Sequence, residues 1–160
     1  MSFNPLQNKG YFRAAALCSK SEQNSFKIKN KLLIWGLSEK EAISVLERLK
    51  EKKFIDENRY TESFVFDKFK FNKWGKTKIA YQLRHEQISE TLIESSICNI
   101  KENDYRNTLL KLIMAKNESL KEPDLYKRRA KLFRFAQSRG FESEIVYSVT
   151  EEVINRTLAS

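Results

Sequence analysis

In SEKEAISVLERLK, residues 38–50, the apolar positions Ala42, Val45, Leu46 and Leu49 return every three or four residues, which places them on one face of a helix. Ser38 and Glu41 stand in the S-x-x-E arrangement that caps a helix start. The same rhythm predicts a helix that begins at Asp56 or Glu57 and runs through Tyr60, Phe64, Val65, Phe69 and Phe71, another from Thr77 to Glu86, and a third starting at Ser89. Farther on, DYRNTLLKLIMAKN reads as a helix, Pro123 takes the N1 position of the next one, and ESEIVYSVTEEVINRTL forms the last. The stretch KFKFNKWGKTK, residues 68–78, begins with the alternation of a strand that has one cationic and one aromatic face. Helical residues on both sides, and the break at Gly75, make it a junction between two helices instead.

Three segments share one pattern. LLIWGLSEKEAISVL, LRHEQISETLIESSI and AQSRGFESEIVYSVT align on Gly36, Gln87 and Gly140. Each continues with an apolar residue (Leu37, Ile88, Phe141), a polar helix start (Ser38, Ser89, Glu142) and a later apolar position (Ala42, Ile93, Val146). The anchors lie 51 and 53 residues apart, counted from positions 36, 87 and 140. One such junction is simply how two helices join; three at nearly constant spacing predict an internal repeat. The expected fold is all-α: three tandem three-helix repeats over residues 7–55, 56–100 and 101–160, with about nine helices and no sheet. A bundle of roughly 50 residues is marginal alone, so the repeats are expected to stack in sequence as an elongated, monomeric array, straight or curved.

Composition agrees with helices and narrows the function classes. Four glycines, two prolines and 32% charged residues suit helices better than a turn-rich sandwich, and 41% hydrophobic content in 160 residues supplies a core. No apolar run approaches the roughly 20 residues of a membrane span. MSFNPLQNKGYFRAAALC lacks the apolar block of a signal peptide, so a cytoplasmic protein without a membrane partner is expected. Cys18 and Cys98 lie far apart with no CxxC and a single histidine in the chain, which predicts buried reduced thiols, no metal and no cofactor. His85, between Arg84 and Glu86, has no second ligand or nucleophile near it in sequence. No phosphate-cradling glycine loop, nucleophile elbow or carboxylate cluster is evident, so the chain does not read as an enzyme.

The net charge of +9 favours an anionic partner, and its distribution says more than its total. From Lys68 to His85 there are six basic residues and no acid; from Glu86 to Glu94 there are three glutamates and no base. Basic windows recur at Lys27, Lys29 and Lys31 and at YKRRAKLFRFAQSRG. All three fall on the middle helix of a repeat. The acids follow at helix starts, where the macrodipole accounts for them; the basic helices have no equally plain structural reason.

FIDENRYTESFV, residues 54–65, followed by GKTKIAYQLRHEQIS, residues 75–89, resembles the central signature of the bacterial regulatory protein RecX family. That signature is an aromatic or apolar pair, D-(D/E)-x-R-(Y/F) and F-(V/I), then G-x-x-(R/K)-I-x-x-(E/Q)-L and an apolar-Ser step. Three departures stand out: Gln87 where glycine is usual, Phe66 in place of a common basic residue, and a third repeat that matches in pattern only. The resemblance spans nearly the whole chain. It implies three tandem three-helix repeats and a regulator that binds the groove of RecA recombinase filaments on single-stranded DNA. Members usually restrain filament growth, strand exchange, ATPase and coprotease functions.

With that implication, Lys68, Lys70, Lys73, Lys76, Lys78 and Arg84, together with Lys127, Arg128, Arg129 and Arg134, are expected to form the basic face that meets RecA or its DNA. Arg59 and Trp74 are further candidates. Arg59 has an alternative as an ion-pair partner of Asp56 or Glu62. Phe69, Phe71 and Trp74 have faces of the kind that stack on bases, but helical spacing favours the core; Phe64 and Phe69 are assigned to packing, and Trp74 beside Gly75 is kept as a partner contact. Two rival classes stay open. KNKLLIWGLSEKEAISVL superficially resembles a helix-turn-helix transcriptional regulator, although Glu39, Glu41 and Glu47 on the second helix, like Glu90 and Glu94 or Glu142 and Glu144 later, would face phosphates at a cost. A sequence-independent DNA-coating protein shares the basic face without needing RecA.

Overall fold

The computed structural model describes residues 2–159. Among them are nine helices and no strand: α1 (Pro5–Lys20), α2 (Ser25–Ile34), α3 (Glu39–Glu51), α4 (Glu57–Lys70), α5 (Lys76–His85), α6 (Glu90–Ile97), α7 (Glu102–Ser119), α8 (Leu125–Ser138) and α9 (Ser143–Ala159). The stretch at residues 68–78 is the α4–α5 junction, as the break at Gly75 predicts. Ser38 and Glu41 form their capping box, and Asn4 with Gln7 forms a second one at α1. Asp56 caps α4, its Oδ1 accepting from the Arg59 amide at 3.0 Å.

The three aligned anchors are structurally equivalent. Gly36, Gln87 and Gly140 all take positive φ, at 101°, 60° and 93°. Each sits at the end of a middle helix, and its amide bonds back three residues, to Leu33, Arg84 and Gln137. The next amide, on Leu37, Ile88 or Phe141, bonds back five, to Leu32, Leu83 and Ala136. This is the Schellman closure of a helix, and it accounts for the repeated sequence: a residue able to turn left-handed, then an apolar residue that packs back on the last turn. Leu37, Ile88 and Phe141 are all buried.

Packing divides the chain into two compact units. One holds the chain up to Phe64 with Leu83–Ile93; the other holds Val65–Gln82 with the chain from Glu94 onward. In the first, Ala14, Ile28, Leu32, Leu37, Ala42 and Leu49 are among the core side chains. In the second, Tyr105, Leu109, Ile113, Leu132, Val149 and Ile154 do the same work, with Phe69 packed against them. The middle repeat is shared between the units because each of its sides is fastened to a neighbour by buried polar contacts.

In the first unit the fastening is Glu86, which is 2% exposed. It accepts from the Tyr60 hydroxyl at 2.7 Å and from Asn24 Nδ2 at 3.0 Å, and pairs with Lys27 Nζ at 3.0 Å. Asn24 in turn caps α2 through the Lys27 amide at 2.8 Å. In the second unit the start of α5 lies on the α8–α9 turn backbone to backbone. The Gly75 amide donates to the Arg139 carbonyl at 2.7 Å and the Thr77 amide to that of Gly140 at 3.0 Å. The Lys76 amide donates to the Tyr105 hydroxyl at 2.9 Å, and that hydroxyl donates to Glu142. Tyr60 and Tyr105 are each the fourth residue of the first helix of a repeat.

Two expectations need correction. Pro123 is not at N1 of α8: Asp124 is the extended N-cap, its carbonyl accepting from the Arg128 amide at 2.9 Å, and Pro123 precedes it. The Arg128 side chain binds the carbonyls of the preceding loop and so holds this segment out of the helix. The cysteines are unpaired, yet only Cys18 is half-buried, where burial pushes its thiol up; Cys98 is exposed because α6 ends before it.

The turns make a graded prediction. A left-handed φ strains any residue with a Cβ, so Gln87→Gly should stabilise the protein by about 0.5–1 kcal/mol in urea denaturation. Gly36→Ala should cost about 1 kcal/mol from strain alone, its nearest neighbour being Leu6 Cδ2 at 4.0 Å. Gly140→Ala should cost several times more, because the new Cβ would lie 2.2 Å from Lys78 Cβ.

A second prediction concerns acid. Burial by itself raises the Glu86 carboxyl, but bonds from Tyr60, Lys27 and Asn24 outweigh it and hold the group below the usual carboxylate range. A lowered folded value means stability that is present above the unfolded value and lost as pH falls through the folded one. Glu86→Gln should therefore cost about 2 kcal/mol at neutral pH and flatten the acid limb of the stability curve, so that the two proteins converge as pH falls. An unchanged acid limb would show that Glu86 does not carry it.

Candidate functional site

The densest group of expected site residues belongs to the second unit, at the α4–α5 junction. α4 ends at Lys70, and Lys73 takes a positive φ of 58° while the Trp74 amide bonds back to the Lys68 carbonyl at 2.9 Å. That turn sets Trp74 half-buried, with Lys68 Nζ 4.9 Å and Lys78 Nζ 4.6 Å from its ring centroid. Both ammonium groups are within cation–π reach of the indole, so they hold the ring and are held by it. Lys76 Nζ lies 4.5 Å from the Tyr105 ring. Lys70 and Lys73 are exposed, with Lys73 Nζ donating to the Lys70 carbonyl at 2.7 Å. Of the sequence-derived cluster, Lys68 and Lys78 thus gather about one indole, Lys76 lies over Tyr105, and Lys70 and Lys73 are exposed in the same junction.

The other candidates are more occupied than their charge suggests. Arg84 is in the other unit and forms a two-pronged pair with Glu90, at 2.5 and 3.1 Å. Arg129 pairs with Glu151 at 2.8 Å, and Lys29 with Glu39 at 2.6 Å. Each of these three pairs joins a base on a middle helix to an acid on the last helix of the same repeat, so the basic helices do have a structural reason that the sequence did not reveal. Arg128 is half-buried and does not present its charge outward. Its guanidinium donates to the carbonyls of Asn117 (2.9 Å), Leu120 (3.2 Å) and Glu122 (2.9 and 2.5 Å) and to Asn117 Oδ1 (2.8 Å). It satisfies the carbonyls left over where α7 ends. Lys127 and Arg134 are exposed on α8.

Arg59 also has a tie that its neighbours in sequence do not supply. Its Nε donates to Glu22 at 2.6 Å and its Nη2 to the carbonyls of Lys53 and Phe54 at 3.1 and 3.4 Å, rather than to Asp56 or Glu62. Glu62 instead accepts from Asn58. Among the aromatics, Phe64 lies against Tyr60 and Phe69 against Tyr105, in the packing role assigned to them. Phe71, which the helical spacing placed with the core, is exposed together with Phe66. Phe66 falls outside the face that Tyr60, Phe64, Val65 and Phe69 fill; Phe71, seven residues after Phe64, keeps the core spacing, but α4 ends at Lys70 and the chain has left the helix before reaching it.

Comparison with known proteins gives a consistent picture. The family model for RecX, second three-helix domain, matches residues 56–97, and that for RecX, third three-helix domain, matches residues 103–150. The regulatory protein RecX of Clostridium botulinum (strain Eklund 17B / Type B) is 34% identical over 130 residues, which is 80% of this chain and 60% of that protein. The chain therefore spans less than two thirds of that relative's length. The regulatory protein RecX of Chlorobium phaeobacteroides (strain BS1) is 31% identical over 147 residues, covering 91% of this chain and 93% of the relative. The crystal structure of RecX from Lactobacillus salivarius superimposes with a TM-score of 0.82 at 17% identity, over 92% of this chain and 96% of that one. That likeness is one of fold.

The occupied and exposed bases should separate in stability measurements. Arg128→Ala should cost about 2 kcal/mol, since it strips several charge-assisted bonds from half-buried carbonyls. Arg134→Ala, on the exposed surface of the same helix, should stay within about 0.5 kcal/mol of the parent. Equal small effects in chemical denaturation would show that the Arg128 contacts carry little.

Proposed function

The chain belongs to the RecX family, and from that membership we propose that it binds the RecA recombinase filament on single-stranded DNA and restrains its recombinase, ATPase and coprotease activities. It works as a monomer in the cytoplasm and catalyses no reaction of its own. The observation that supports this most is the lysine cluster around Trp74, a concentrated positive surface of the kind a DNA-containing filament attracts. Lys68, Lys70, Lys73, Lys76 and Lys78 form the central contact, with Lys127 and Arg134 adding charge. Arg84, Arg128, Arg129 and Arg59 contribute chiefly by holding the helices that carry them. Among the described residues no helix is long and apolar enough to cross a membrane.

The experiment is RecA's DNA-dependent ATP hydrolysis, or filament length, at substoichiometric to equimolar protein. The parent protein should lower either one. Exchanging Lys70, Lys73, Lys127 and Arg134 for glutamate avoids the lysines that hold Trp74 and Tyr105, so melting should change little while inhibition is largely lost. The salt dependence of binding should flatten by up to about one unit of log-log slope per phosphate contact removed. Unaffected filaments alongside tight binding to naked DNA would instead favour a sequence-independent DNA-coating protein.

A further inference from the structure

Phe66 and Phe71 are 58% and 70% exposed, although α4 has already filled its buried face with other residues. Their rings meet edge to face, with centroids 6.0 Å apart and planes at 80°. Counting from the equivalent tyrosines Tyr60 and Tyr105, the corresponding positions on α7 are Lys111 and Lys116. Two positions that are cationic in the third repeat are thus aromatic in the second, at the place where lysines are densest. From Lys68 to Lys78 no acid intervenes, and only Asp67 lies between Phe66 and that run. Two rings left in water serve no packing need, and the charge beside them selects an anionic occupant over an apolar one. Unpaired nucleotides supply both halves: a flat base for a ring and a phosphate for each lysine.

We propose that Phe66 and Phe71 are base-stacking residues for single-stranded nucleic acid, with Lys70 and Lys73 engaging the phosphates beside them. The edge-to-face pairing presents two ring faces in different orientations, which suits successive bases of an unpaired strand and not the edges of a duplex. Stacking is indifferent to base identity, so no sequence preference follows. This inference deepens the functional reading above and rests on it only for the place of the strand within a filament.

The test compares a labelled oligothymidine of about 15 nucleotides with an abasic strand of the same length and charge, by anisotropy at about 50 mM salt. The parent protein should bind the base-bearing strand at least about tenfold more tightly than the abasic one. F66L/F71L, which keeps the charge and apolar character, should keep its helicity and salt slope but lose that preference. Equal affinity of the parent for the two strands overturns the inference, as does a preference retained by F66L/F71L or the absence of oligothymidine binding by the parent. RecA's ATP hydrolysis is read in parallel. A base preference lost in F66L/F71L, together with filaments untouched by the parent, would support stacking while removing the filament reading.

Discussion

The backbone contact between Gly75 and the Arg139–Gly140 turn is the constraint on which the second unit depends. The first amides of a helix have no partner inside it, and here the carbonyls of a neighbouring turn accept from two of the amides at the start of α5, at 2.7 and 3.0 Å. The approach leaves no room for side chains: a Cβ on Gly75 would lie 2.3 Å from the Gly140 carbonyl carbon, and one on Gly140 would meet Lys78. Two glycines therefore do different work from those of a flexible loop. They let one repeat rest on the next, and they fix where α5 begins. Trp74 precedes that start and Lys76 and Lys78 follow it, so the positive surface inherits its geometry from the joint.

The joint in the first unit solves the same problem with side chains. Asn24 occupies the place of Gly75 as N-cap of a middle helix, and it reaches Glu86 through its amide group. Glu86 stands immediately before Gln87, as Arg139 stands immediately before Gly140. A tyrosine at the fourth position of the following repeat's first helix closes both joints on a carboxylate, Tyr60 on Glu86 and Tyr105 on Glu142. Burial and the adjacent carboxylate each raise the two phenols, so both stay protonated and donate at neutral pH. A buried acid bonded by a phenol, an amide and an ammonium group specifies one register of stacking, where an apolar contact would tolerate several.

Much of this was legible because local rules and packing agree. Ser38 and Glu41, the apolar positions of α3 and the left-handed turns at Gly36 and Gly140 are short-range features, and the chain expresses them where the pattern puts them. Gln87 shows the limit in one direction: it is not a glycine, yet its register with Gly36 and Gly140 marked it as equivalent. Glu86 shows the limit in the other. As one of several glutamates near a helix start it reads as macrodipole compensation, and nothing within ten residues reveals that Asn24, 62 positions away, will bury it. The ties of Arg128 and Arg59 were hidden for the same reason, since their partners are loop carbonyls and a distant Glu22. Sequence displays charge; only the fold displays what each charge is already bonded to.

That distinction sorts a surface of thirty lysines and arginines. A guanidinium that already holds three carbonyls has spent its donors, and turning it toward a phosphate would leave those carbonyls unsatisfied. A lysine over an aromatic ring is different: its attraction to the π-face leaves ammonium hydrogens for a second acceptor. The exposed ammonium of Lys70 is freer still. Affinity for a polyanion should therefore concentrate where lysines surround rings and not where arginines bridge helices, even though both regions look equally basic in the sequence. The α4–α5 junction meets that condition with Lys68 and Lys78 about Trp74 and Lys76 about Tyr105, all positioned by a turn that two glycines hold in place.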